Sequence, residues 1–216
     1  MPTKSTEHMR LLNQLKKEIG EIHGEPILQR FRRWQSITSP DIPMKQEPYN
    51  PRWGECFKTS TEEMANKLRN FNINYYHIGS TSVPGLASKP IIDIIIQVND
   101  LGSHEQVINI LSLMNYKNWG CSPVHPDVTW HWHKNINPVS KVIHLCTANN
   151  PWVSAALNFR DYLRYFPDKR REYMNLKAKL SRESNNDLVL YSIKKALLLY
   201  RLNKEANTWR AHKNIV

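Results

Sequence analysis

Cysteine, glycine and acidic side chains are scarce in this chain of 216 residues, and each shortage removes a class of function. The three cysteines, Cys56, Cys121 and Cys146, are widely spaced, odd in number and form no C-x-x-C pair, which speaks against a disulfide framework and a structural zinc site. A reducing compartment, the cytoplasm, is the expectation. Only seven glycines occur, and neither G-x-x-x-x-G-K-[ST] nor G-x-G-x-x-G is present, so the P-loop and the dinucleotide fingerprint are excluded. No apolar run reaches the ~18 residues of a membrane span, and "MPTKSTEHMRLLNQLKKEIG" lacks the apolar stretch of a secretory signal. A soluble protein with no membrane partner follows. Nineteen acidic residues against 30 basic ones leave a formal charge of +11. That charge attracts nucleotides or RNA, and it is equally the mark of a generic basic surface.

What is present suffices for one well-packed core, since 40% of residues are apolar and 23% charged. Met9, Leu11, Leu12, Leu15 and Ile19 lie at helical spacing over residues 5 to 20, "EPILQRFRRWQSI" continues as a short basic helix, and "TSPDIPMKQEPYNP" reads as an extended linker. Residues 1–45 are therefore expected to be an N-terminal helical extension and linker, and 46–210 the main domain. "STEEMANKLRNF" predicts a helix capped by Ser60 with Glu63 three residues on. Strands are expected at "NYYHI", "PIIDIIIQV", "YKNWG", "VTWHWHK" and "KVIHLCT", with a helix at "SHEQVINILSLMN". From "PWVSAALNFRDYLRYF" onward the pattern is helical. The order predicts an α+β fold, a mixed β-sheet backed by helices with a helical C-terminal third.

The segment "HIGSTSVPGLASKPIIDIII" carries the chemistry. Gly79 lets an anion approach the main chain, and the hydroxyls of Ser80, Thr81 and Ser82 can donate to phosphate oxygens. Asp93 sits among Ile91, Ile92, Ile94, Ile95 and Ile96, and a buried carboxylate is costly unless it is paired, hydrogen-bonded or bound to metal. A structural salt bridge and a metal or catalytic role are comparable readings of Asp93. Lys89 supplies the pairing charge in the first and contacts phosphate in the second.

Gly79-Ser80 followed by an aspartate on the next buried strand resembles the nucleotidyltransferase superfamily, and "HIGSTSVPGLASKPIID" resembles the signature of its GrpB (UPF0157) branch. "PYNPRW", "NFRDYLRYFPDKRREYMNLKAKL" and "YSIKKALL" are similar to further GrpB segments in the expected order, so the resemblance spans roughly residues 46 to 210. It implies a nucleotidyltransferase-like mixed sheet, a nucleoside triphosphate substrate held at Gly79, Ser80, Thr81, Ser82 and Lys89, and a divalent metal, Mg²⁺ or Mn²⁺, at Asp93. The implied reaction transfers a nucleotidyl group to an unknown small-molecule or macromolecular acceptor. Active members of the superfamily typically carry a second acid two residues beyond the first; here that position is Ile95. Tyr76 stands where the branch usually has glutamate, and His144 to Cys146 read His-Leu-Cys in place of His-Leu-His.

Alternation places His144 and Cys146 on one face of their strand, and if that is the face beside Asp93, His144 is a metal ligand or acid/base group; otherwise it is a hydrogen-bonded core histidine. Cys146 reads as a small buried hydrophobe. His131 and His133 share a face opposite Trp130 and Trp132, and they suit either a metal or an exposed strand face. Arg160 and Arg164 lie four apart on one helical face, and Tyr191 and Lys194 three apart on another. If these faces turn to the Gly-Ser loop, they complete a cationic wall for the triphosphate. Two rival readings stay open: a non-catalytic nucleotide-binding module, and an RNA-binding or RNA-modifying protein suggested by the charge and by "QRFRRW".

Overall fold

Ile91 to Val98 forms an interior strand of the sheet because a run of β-branched side chains packs well on both sides of a strand and leaves little to expose. The computed structural model describes residues 4–19, 46–100, 102–121, 129–134, 139–184 and 188–213. The elements run α1 (Lys4–Ile19), α2 (Arg52–Lys67), β1 (Ile73–Ile78), a 3-10 turn at Ser80–Ser82, β2 (Ile91–Val98), α3 (His104–Leu113), β3 (Lys117–Cys121), β4 (Thr129–Lys134), β5 (Ser140–Thr147), α4 (Pro151–Tyr165), α5 (Pro167–Glu183) and α6 (Leu188–Lys213). The five strands lie in the order β1-β2-β5-β4-β3. β2 and β5 are parallel and the other pairs antiparallel, so the sheet is mixed and the α+β expectation holds.

Strand alternation divides the core. Ile92, Ile94, Ile96, Ile143 and Leu145 face α2 and α3, where they meet Trp53, Met64, Leu68, Val107 and Leu111. Ile78, Ile95 and Cys146 face the other way, onto Val153 of α4. The helical C-terminal third builds its own cluster from Tyr162, Leu163, Tyr173, Leu202 and Ala206, and it seals against Val83 and Leu86 of the β1–β2 connection. That connection, which carries the Gly-Ser turn, is thus held between the sheet and the helices.

One boundary differs from expectation for an identifiable reason. The helix read as starting at Ser60 begins eight residues earlier, with Asn50 Oδ1 accepting from Arg52 N–H at 3.0 Å just before it. Ser60 and Thr61 are interior residues whose hydroxyls donate back to the carbonyls of Cys56 and Phe57, an arrangement that satisfies the hydroxyl without ending a helix. The N-terminal helix does pack on the main domain, through Leu11, Leu12 and Leu15 against Leu190 and Ile193 of α6. "EPILQRFRRWQSI", "QRFRRW" and most of the predicted linker lie outside the described residues, as do the side chains of His131, His133, Trp130 and Trp132.

No helix among the described residues is long and apolar enough to cross a membrane. Ile94 is fully buried in β2, an interior strand flanked by β1 and β5. Ile94→Ala is expected to lower the unfolding free energy by about 2–5 kcal/mol, read from urea denaturation with an unchanged m value.

Candidate functional site

β1 ends where Gly79 takes φ 70° and ψ −173°, a backbone conformation that L side chains rarely adopt. A Cβ built on Gly79 would stand 2.8 Å from Asp93 Cγ, so the carboxylate fills the space a side chain would need. The β1–β2 register sets this up by pairing Ile78 with Asp93. On the far side of β2, parallel β5 pairs His144 with Ile95, and the His144 ring reaches back to place Nε2 3.1 Å from Asp93 Oδ1. His144 is buried and lies 5.3 Å, centroid to centroid, from the Trp152 ring, while the Asp93 side chain stays 28% exposed. The expected grouping on one sheet face is therefore observed for Asp93 and His144. Cys146 is on that face too, fully buried among Ile78, Ile95 and Val153 as a small hydrophobe.

The three hydroxyls of the turn have different tasks. Ser82 Oγ donates to the Gly79 carbonyl at 2.6 Å and Thr81 Oγ1 to the Ile91 carbonyl at 2.9 Å, which locks the turn to itself and to β2. Because the one Thr81 proton is committed to Ile91, the 3.1 Å contact with His77 Nε2 assigns the donor hydrogen to the imidazole. His77 stacks on Phe57 at 4.8 Å, and burial lowers its pKa to about 4, with Asp93 opposing and Arg164 and Arg160 adding to the shift. The ring is neutral at physiological pH and acts as a structural post. Thr81 and Ser82 are buried, whereas Gly79 is exposed and Ser80 half-buried, with the Ser80 hydroxyl bonded to the buried Lys177 and Tyr173 side chains of α5.

Arg160 and Arg164 do turn toward the loop, and they hold its backbone. Arg160 Nη1 donates to the His77 carbonyl at 3.1 Å, and Arg164 donates twice to the Ser82 carbonyl, at 3.0 and 2.7 Å. Asp161 fixes Arg160 at 2.8 Å and is itself bound by Arg210 at 2.6 Å. Lys194 points elsewhere, pairing with Glu7 of α1 at 3.2 Å.

The cations that gather at the turn are lysines, and two of them were missed from sequence. Lys177 of α5 donates to Ser80 Oγ at 2.9 Å and to the Ala87 carbonyl at 3.3 Å, with its ammonium 5.3 Å from the Tyr173 ring centre. It is only 5% exposed, and burial, with the nearby charges of Lys195 and Lys89, lowers its pKa to about 7 against a weak upward pull from Asp93. Lys89 stands over Tyr191 at 5.4 Å, and burial followed by Lys195 lowers it to about 8. Tyr191 and Lys195 are four residues apart and share a helical face, so an i,i+4 reading of "YSIKKALL" selects Lys195 where i,i+3 selects Lys194. Lys177 had no comparable signal, being one of several basic residues in α5.

His144 Nε2 and Asp93 Oδ1 are within hydrogen-bond distance, so the carboxylate is paired by His144 rather than by Lys89, and the same two side chains are the candidate ligands for a divalent ion at this turn. Among the described residues no third histidine, cysteine or carboxylate joins them. A carboxylate with an imidazole is a softer donor set than Mg²⁺ prefers and better suits Mn²⁺ or Zn²⁺. His131 stands opposite His144 in the β4–β5 register, with its side chain outside the described residues.

Comparison with known proteins follows the same residues. The family described as "GrpB protein" matches residues 43–205. The UPF0157 protein SCO7215 of Streptomyces coelicolor is 32% identical over 163 residues, 75% of this chain and 83% of that protein. The UPF0157 protein YqkA of Bacillus subtilis is 30% identical over 166 residues, 77% of this chain but 48% of its own length, so the chain spans about half of that relative. The crystal structure of GrpB from Enterococcus faecalis superimposes with a TM-score of 0.67 at 26% identity, covering 76% of this chain and 99% of that one. The Gly79–Asp93 loop, β5 and α5 all lie inside the matched region.

Gly79→Ala is expected to destabilise the fold by at least about 1–3 kcal/mol, since it combines backbone strain with displacement of the Asp93 carboxylate. Chemical denaturation measures it. Lys177 gives a signed pH effect. Its folded pKa lies below the ordinary 10.5, so between pH 7 and 10.5 the unfolded chain binds the extra proton and stability rises with pH. Lys177→Met is expected to raise the melting temperature at pH 7 and to flatten that rise in thermal melts followed by circular dichroism.

Proposed function

The chain belongs to the GrpB family, and from that premise we propose that it binds a nucleoside triphosphate with a divalent ion, Mg²⁺ or Mn²⁺, and transfers a nucleotidyl group to an acceptor. The observation that carries this reading is the Asp93–His144 pair, 3.1 Å apart, set directly beneath the exposed Gly79. Asp93 and His144 hold the ion, which when bound neutralises charge on the phosphates as pyrophosphate departs.

The chain's own residues bind and orient. Ser80, backed by Lys177, offers a hydroxyl to phosphate oxygen, and Lys89 supplies charge from the far end of the loop. Arg160 and Arg164 are positioning residues, because they grip the His77 and Ser82 carbonyls and so fix the direction in which Gly79 and Ser80 present themselves. His77, held neutral, supports Thr81 and adds no charge of its own.

A second reading, nucleotide binding without transfer, is favoured by Ile95. It is fully buried against Cys146 and Val153, at the position where a second metal-binding acid stands in the resembling superfamily, so a two-metal arrangement has no second carboxylate on β2. Titration calorimetry with ATP, GTP, CTP and UTP, with and without Mn²⁺, followed by a pyrophosphate-release assay over a panel of acceptors, separates the two. Transfer predicts metal-dependent pyrophosphate release that Asp93→Ala reduces to background while the circular dichroism spectrum is retained. Release unchanged in Asp93→Ala would remove Asp93 from the chemistry, and tight binding with no release supports the module.

A further inference from the structure

The C-terminal end of α6 carries rings and cations that the turn at Gly79 does not use. Trp209 packs against Tyr165 and Phe166 at the junction of α4 and α5, with ring centres 5.5 and 5.8 Å away. Beside these rings lies an open groove of about 580 Å³, lined among others by Phe166, Lys204, Thr208, Trp209 and His212, a volume usual for a ligand site. Tyr165 is 58% exposed, and the Lys213 ammonium lies over its face, 3.9 Å from the ring centre and 5.0 Å from that of Trp209. The acids nearby each have a cation. Glu205 holds Lys169 at 2.9 Å, Glu172 holds Lys169 and Arg201, Asp168 holds Arg171, and Asp161 holds Arg210 at 2.6 Å. Among the described residues, Lys204 and Lys213 reach no carboxylate. Trp209 and Lys213 also lie beyond residues 43–205, outside the family match.

We infer that this face docks single-stranded RNA, with unpaired bases stacked on Tyr165 and Trp209 and the phosphates between them met by Lys204 and Lys213. The chemistry of the face selects that occupant. An acidic peptide satisfies the lysines and leaves the rings without a partner, a cationic ligand for the rings is repelled by the lysines, and a duplex keeps its base faces covered. A single strand alternates flat π faces with negative charge, which matches rings flanked by unbalanced ammonium groups. RNA is the strand that commonly exposes unpaired bases, and Thr208 Oγ1, whose proton goes to the Lys204 carbonyl at 3.0 Å, keeps a lone pair for a ribose 2′-hydroxyl. The formal charge of +11 acts in the same direction. Lys213 shows that the Tyr165 face can be reached by a second group; when a base takes that face, the ammonium moves to the neighbouring phosphate. Docking here needs neither Asp93 nor His144 and is independent of nucleotidyl transfer.

Fluorescence anisotropy of the full chain in EDTA, over a range of salt, with a labelled oligo(U) of ~15 nucleotides, the matching oligo(dT) and an RNA duplex of equal phosphate number tests the docking. The single RNA strand is expected to bind about tenfold or more tightly than the duplex, with affinity falling as salt rises. Tyr165→Ala and Trp209→Leu are each expected to lose about fivefold or more, and Trp209→Phe to keep most of the affinity. Lys204→Ala and Lys213→Ala are each expected to weaken binding and to lower the salt slope by about one. Tyr165→Ala, at an exposed ring, decides the matter if Trp209→Leu does not fold by circular dichroism. Equal binding of strand and duplex, or affinity unchanged in Tyr165→Ala, reduces the face to generic charge and overturns the docking. Tighter binding of oligo(dT) overturns the assignment to RNA, and displacement by polyglutamate of equal charge overturns it in favour of an acidic peptide. Loss of binding in Asp93→Ala places the strand at the Gly79 turn and overturns it too, whereas Asp93→Ala that binds oligo(U) normally supports it whatever becomes of pyrophosphate release. No binding of any strand at low salt overturns the docking and leaves the nucleotide reading standing.

Discussion

Asp93 can occupy its place only because position 79 has no side chain. The carboxylate lies where a Cβ would be, and the backbone of Gly79 adopts a conformation that other residues rarely reach. Glycine and aspartate are therefore one structural unit joined by the β1–β2 register. The rest of the site is built on that contact. The parallel strand β5 brings His144 to Asp93, Thr81 and Ser82 tie the turn to β2 and to itself, and Arg160 and Arg164 clamp its carbonyls from α4. Each of these bonds restricts the turn, and together they leave Gly79 exposed at its tip.

The same geometry sets a charge balance unlike that of a paired-carboxylate metal site. One acid with one histidine is suited to holding a single ion that shares its coordination with phosphate and water. Around them, burial lowers the affinity of Lys89 and Lys177 for protons, and the charge of Lys195 adds to both shifts. Ile95 joins a hydrophobic cluster with Cys146 and Val153 and adds no charge to the site.

Much of this was legible in the sequence, and the misses have physical causes. Period-two alternation was enough to set His144 and Cys146 on one face of β5, but that this is the face of Asp93 follows from the β2–β5 register, which no local pattern encodes. The turn residues were legible from glycine and hydroxyl chemistry, but the bonds that these hydroxyls make to Ile91 and Gly79 are set by the folded turn. Lys194 and Lys195 differ by one helical step, about 100° of rotation, and the docking of α1 decides the matter by engaging Lys194 through Glu7. Lys177 could not be singled out, because burial of a lysine is a tertiary fact. Ser60 looked like a cap and proved to be a back-bonded interior residue, a local ambiguity that the preceding Asn50 and Pro51 resolve.

A crystal grown with a non-hydrolysable nucleoside triphosphate and Mn²⁺ examines this arrangement most directly. The anomalous signal of manganese is predicted beside Asp93 Oδ1 and His144 Nε2, with the phosphate chain at the Gly79–Ser80 turn. A nucleotide bound away from the Gly79–Ser80 turn, or a manganese peak that touches neither Asp93 nor His144, would contradict it.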